Sequence, residues 1–142
     1  MKLTQFTDYS LRVLIYLAQD WERKCTIREI AQWHKISKPH LVKVVHQLTK
    51  LNYIKTFQGK GGGISLKVIP SKINIGKVVR ETESDFYIVE CFDIKSNRCR
   101  IIKRCKLKYA LHEAKQAFLK VLDLLTLEDI SAADDKVFKK VE

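Results

Sequence analysis

Two short capped helical patterns followed at once by a glycine-rich hairpin constrain this chain more than any other feature. Thr26 precedes Ile27, Ile30 and Ala31, the apolar face of a short helix that breaks at Lys35 and Ile36. Ser37 then stands where it can cap a second helix, and Pro39 lies in its first turn, where a missing N–H is harmless. Leu41, Val44, Val45, Leu48 and Leu51 form the inward stripe of that helix. Residues 53–57 and 64–68 read as two strands around Gln58-Gly59-Lys60-Gly61-Gly62-Gly63, a hairpin with a basic tip. A tight helix pair followed by such a hairpin is the pattern of a winged helix-turn-helix.

The flanking segments complete an expectation of a mainly α fold. Residues 3–19 place Leu3, Phe6, Ser10, Val13, Leu14 and Leu17 on one helical face, with Thr4 as the cap. Asn74 or Ile75 opens a short helix reaching about Thr82, and residues 84–104 carry no helical periodicity. Residues 105–125 form a long amphipathic helix with the apolar set Leu107, Leu111, Ala114, Phe118, Val121, Leu122 and Leu125. A lone helix projecting from a small domain must bury such a stripe, and a second copy of itself is the simplest partner. The expected organisation is a winged helix-turn-helix DNA-binding domain over 1–82 with a two-stranded β wing, a cysteine-rich loop over 83–104, a C-terminal dimerisation helix with its closing turn over 105–130, and a frayed tail over 131–142.

Charge agrees with this division. Of the net +11, residues 1–80 hold 15 Lys/Arg against 4 Asp/Glu, whereas residues 81–142 hold 12 of each. A positive field confined to the front part attracts a polyanion, and nucleic acid is the commonest one in a cytoplasm. No apolar run has the length of a membrane span, about 18 residues or more, and the opening residues do not read as a signal peptide, so a cytoplasmic protein is expected.

On the second helix the inward stripe leaves Lys38, His40, Lys43, Gln47 and Lys50 facing outward, with His46 near the boundary. Lys can donate to guanine and Gln can pair with adenine, while Lys at helix ends more often neutralises phosphate. His40 and Lys43 are the candidates for base edges. Ser37 and Pro39 at the helix start, and Gln58, Gly59, Lys60, Gly61 and Gly62 in the wing, complete the candidate DNA surface, since glycines let backbone approach a groove wall while Lys60 reaches phosphate. The glycines do not fit a nucleotide loop, because neither GxxxxGK[ST] nor a strand-loop-helix GxGxxG is present.

Cys91, Cys99 and Cys105 are separated by seven and five residues, too widely for a zinc knuckle built on CxxC but acceptable for a loop wrapped around a cluster. Lys95, Arg98, Arg100, Lys103 and Arg104 would offset the charge of three bound thiolates. Spacing leaves an iron-sulfur cluster, zinc and free redox thiols open. It also leaves the fourth ligand open among Asp8, Asp85, Glu90, Asp93 and His112. Asp8 has an ordinary role available too, four residues before Arg12 in the early part of a helix. Cys25 stands apart and reads as a small buried apolar residue.

Together, LTQFTDYSLRVLIYLA at the start, ISKPHLVKVV, GKGGGISL and INIGKVVRETE, then CFD, CRIIKRCKLKYAL, AFLKVLD and LTLEDI, carry a resemblance over about residues 1–130. The chain resembles the NsrR-like nitric-oxide-sensing repressors of the winged-helix iron-sulfur regulator family that also includes IscR. The resemblance implies a homodimer with crossing long helices and one iron-sulfur cluster per subunit, 4Fe-4S in preference to 2Fe-2S. Cys91, Cys99 and Cys105 would hold the cluster, and Asp8 of the partner subunit would be the fourth ligand. Members of the IscR branch have a histidine three residues after the last cysteine, where this chain has Lys108. The chain departs from the pattern at Gln58, where a basic residue is usual, and in the longer gap between Cys91 and Cys99. The expected function is repression at promoter DNA, relieved by nitric oxide, with no enzyme activity. Alternatives are an iron- or redox-responsive iron-sulfur or zinc regulator of the same family, an iron-sulfur redox protein, and a metal-free interaction module.

Overall fold

Three side-chain caps start helices in the front part of the chain, and a fourth cap site makes no such bond. The computed structural model describes residues 2–131, so the tail expected from Ala132 lies outside the described residues. Helix α1 is Gln5–Ala18, and the Thr4 hydroxyl accepts from the Thr7 N–H at 3.3 Å. Helix α2 is Ile27–His34 and opens on a reciprocal box: the Glu29 N–H donates to Thr26 Oγ1 at 3.1 Å, and the Thr26 N–H donates to Glu29 Oε2 at 2.8 Å. Lys35, at φ 53, takes the left-handed conformation that ends α2.

Helix α3, Lys38–Lys50, has Ser37 at its N-cap in extended backbone but without a side-chain cap bond, contrary to expectation. Thr4, Thr26 and Asn74 each accept from the third N–H of their helix, whereas the corresponding N–H, on His40, is not taken by Ser37.

Strand β1, Ile54–Phe57, pairs antiparallel with β2, Gly63–Leu66, with Ile54 opposite Leu66 and Phe57 opposite Gly63. Both strands are shorter than their sequence patterns, because Asn52 at φ 65 turns the chain just before β1 and the 3₁₀ turn Pro70–Lys72 follows soon after β2. Cys25 adds a single antiparallel bridge to Ile64 through two backbone bonds of 2.9 and 2.8 Å. A Cβ on Gly63 would lie 2.8 Å from the Cys25 carbonyl oxygen, so this close approach requires glycine.

Val13, Leu14 and Leu17 of α1 meet Ile30, Leu41, Val44, Leu48, Ile54 and Leu66 in a single core. Helix α4, Ile75–Thr82, adds Val78 and Val79, and is capped by Asn74 as expected. The long helix α5 is Lys106–Asp123, and the short α6, Leu127–Ser131, returns to place Leu127 fully in the core. The end of α5 is pinned to α4: Arg80 grips Asp123 through both guanidinium nitrogens at 2.5 and 2.7 Å, and Asn74 Nδ2 donates to the Asp123 carbonyl at 2.8 Å. The Arg80 guanidinium holds the Asp123 carboxyl below its usual range.

The apolar face of α5 differs from the expected one. Leu119 is buried and Leu122 partly so, whereas Leu107 is 65% and Val121 39% exposed, and Leu125 is buried just beyond the helix end. The end of α5, pinned to α4, carries the buried Leu119, while further back His112 and Lys115 pack on the Phe92 ring.

Thr26→Ala should lower the unfolding free energy by about 1 kcal/mol. Ser37→Ala, which removes no cap bond, should change it by less than about 0.5 kcal/mol. Urea unfolding of both variants checks this, and equal losses would contradict the cap assignment.

Candidate nucleic-acid interface and thiol loop

The burial of Leu41, Val44, Val45 and Leu48 turns one face of α3 inward and leaves Lys38, His40, Lys43, His46 and Lys50 exposed on the other, with Gln47 half-buried. Ser37 and Pro39 are exposed at the start of the same helix. Val42, 45% exposed among these polar groups, was missed by a reading that sought only polar side chains, although an apolar contact suits a thymine methyl. The Tyr9 ring of α1 stands 6.3 Å from the His40 ring, centroid to centroid.

In the wing, Gln58, Gly59, Lys60 and Gly61 are exposed and Gly62 is half-buried. Gly59 and Gly61 have φ of 86 and 77, and the Gly62 N–H closes the turn on the Gly59 carbonyl at 3.0 Å. A Cβ on Gly62 would collide with the Phe57 carbonyl oxygen. The glycines are therefore required by the turn itself, before any approach to DNA is considered. At the base of the wing the Lys24 ammonium lies 4.2 Å over the Phe57 ring and that of Lys55 lies 5.7 Å away, adding two cations to the basic edge. Alternation along the strand could have flagged Lys55, but Lys24 comes from the α1–α2 connection and only tertiary structure brings it here.

The three clustered cysteines lie in irregular backbone leading into α5. Cys91 is buried in the 3₁₀ turn Glu90–Phe92, and Cys99, half-buried, donates its N–H to Asn97 Oδ1 at 2.9 Å. Cys105 is the N-cap of α5, and its sulfur accepts from the Lys108 N–H at 3.4 Å. All three are free thiols. Among the described residues, no three His, Cys, Asp or Glu side chains stand close enough to hold one ion.

The other candidate ligands have local partners. Asp85 accepts from the Tyr87 N–H at 3.0 Å, Glu90 from the Arg98 N–H at 2.8 Å, and Asp93 from the Lys95 N–H at 2.9 Å and the Ser96 hydroxyl at 2.7 Å. The Ser96 hydroxyl and the Lys95 N–H hold the Asp93 carboxyl below its usual range. His112 faces the Phe92 ring edge-on at 6.5 Å. Asp8, half-buried on α1, pairs with Arg12 at 2.9 Å and accepts from its Nε at 3.0 Å. Cys25 is only 3% exposed, and burial pushes its thiol up, as fits a packing residue.

Among the described residues, no helix is long and apolar enough to cross a membrane. Comparison with known proteins matches residues 3–133 to the Rrf2 family, described as an iron-dependent transcriptional regulator. The HTH-type transcriptional regulator NsrR of Bacillus subtilis (strain 168) is 51% identical over 140 residues, covering 98% of this chain and 96% of that protein. Its namesake in Geobacillus kaustophilus is 50% identical over 131 residues, with 92% and 89% covered. Oxidized Staphylococcus aureus CymR superposes with a TM-score of 0.76 at 25% identity, over 95% of this chain and 99% of that one. T. potens IscR, at 23% identity, shares the fold with a TM-score of 0.73 over 100% of this chain and 89% of its own. A winged helix with this long α5 and a family match along nearly its whole length make the chain a member of the Rrf2 family of transcriptional regulators.

Proposed function

We propose that this chain is a homodimeric DNA-binding repressor whose grip on promoter DNA is set by an iron-sulfur cluster that responds to nitric oxide. It acts as a regulator and not as an enzyme, in keeping with its family and with relatives named as transcriptional regulators. The observation that carries the reading is the exposed basic and imidazole face of α3 beside a glycine-turned wing.

Cys91, Cys99 and Cys105 would hold the cluster, with Asp8 of the partner subunit as the fourth ligand. The donor set fits: three free thiols within one short segment match the soft ligands an iron-sulfur cluster takes. A second chain fits as well, since α5 exposes Leu107, Tyr109 and Leu124, an apolar face that a copy of the same helix could cover. When bound, the cluster supplies iron centres at which nitric oxide can react. The chain's own part is to choose a partner for Asp8. Its pairing with Arg12 is an exposed i,i+4 contact worth about 0.5 kcal/mol, weak enough to yield to metal ligation and ready to recapture the carboxylate afterwards.

An iron-sensing version of the same device is favoured by the description of the family as iron-dependent. Oxygen-free protein treated separately with nitric oxide, an iron chelator or peroxide should release a duplex selected by the protein itself in response to nitric oxide first. Release by chelator with indifference to nitric oxide would replace the nitric-oxide reading with the iron-sensing one.

For the DNA surface, Lys43→Ala should weaken binding to the selected duplex more than to random DNA. Lys60→Ala should chiefly reduce the slope of log affinity against log salt, by about one phosphate contact. Equal losses on both duplexes for both variants would contradict the division into reading helix and anchoring wing. For the cluster, Cys91→Ser, Cys99→Ser or Cys105→Ser should abolish visible absorption and bound iron while leaving a folded dimer by light scattering. A variant that keeps full absorption removes its residue from the ligand set.

A further inference from the structure

The contact between α1 and the first turn of α3 goes beyond packing. His40 is the third residue of α3, the part of a recognition helix that reaches base edges, and it is exposed. An exposed imidazole on such a turn has several staggered positions open to it, and reading one base requires one of them. Tyr9 is the aromatic neighbour: its ring lies 6.3 Å from that of His40 with the planes tilted by 34°, within the range of attractive ring pairs. The two rings, with Gln5, Phe6, Lys43 and Val44, border a hollow of about 180 Å³ between the helices. This hollow gives His40 and Lys43 somewhere to swing if the Tyr9 ring is absent. Tyr9 itself is half-buried against the core, and Val13, one turn further along the same helix, is fully buried, so the ring stands on a fixed support.

We infer that Tyr9 is a positioning residue for DNA reading: its ring holds His40 in the orientation that meets a base edge, and so contributes to sequence specificity from outside the recognition helix. This rests on the proposed role of His40 as a base reader. Tyr9 also follows Asp8 directly in α1, so the same turn that offers the proposed ligand seats the reading side chain.

The test uses full-length, oxygen-free protein, a duplex enriched from a random pool by the wild-type chain, and a scrambled duplex of equal length and composition. The readout is the ratio of the two affinities. Tyr9→Ala should lower this ratio by about three- to tenfold, the scale of one aromatic pair, with little change on the scrambled duplex. Tyr9→Phe, which keeps the ring, should stay within about twofold of wild type. In a His40→Ala background, Tyr9→Ala should add nothing further. Should Tyr9→Ala fail to fold, Tyr9→Leu keeps apolar bulk without a flat face and carries the same expectation. Independent, multiplying losses from Tyr9→Ala and His40→Ala would overturn the inference. So would equal weakening on both duplexes, or an unchanged ratio in Tyr9→Ala alongside a lowered one in His40→Ala. An unchanged ratio in His40→Ala itself would instead remove His40 as a base reader, and the positioning role with it.

Discussion

Burial of one face of α1 is the constraint on which the remainder depends. Val13, Leu14 and Leu17 are at most 1% exposed and touch every other layer of the front domain. Each such side chain contributes about 2 kcal/mol on burial, against at most about 1 kcal/mol for an exposed ion pair such as Asp8–Arg12. Packing therefore decides where α1 sits. Because that inner face is fixed, the rest of α1 is fixed too, with Tyr9 on its flank, packed against the core and facing His40 of α3.

A second joint lies at the far end of the molecule. The Arg80–Asp123 pair, the Asn74 bond to the Asp123 carbonyl and the burial of Leu127 tie the end of α5 to α4 and the core. At the start of α5, beside Cys105, Ile101, Leu107 and Tyr109 are exposed.

Much of the front part was legible because its signals are local. Thr4, Thr26 and Asn74 cap the helices that their sequence positions announce, and Ile30, Leu41, Val44 and Leu48 fall on the faces that periodicity assigns. Other local signals were not realised. Ser37 occupies a cap site yet makes no cap bond. Strand β1 starts late, after the turn at Asn52, and β2 ends early, before the Pro70 turn. The wing glycines, read first as room for DNA, are required by the fold: Gly59 and Gly61 by their positive φ, Gly62 and Gly63 by the Phe57 and Cys25 carbonyls.

By itself, the sequence determined the class of fold, the order of its elements, the basic front part and the presence of three clustered thiols. Short-range periodicity, caps and composition express each of these without knowledge of distant contacts. Tertiary structure alone decided that Cys25 stitches the wing to the α1–α2 connection, that Lys24 joins the basic edge, and that Tyr9 faces His40. These pairs are separated by tens of residues, and only the burial of shared apolar faces brings them together.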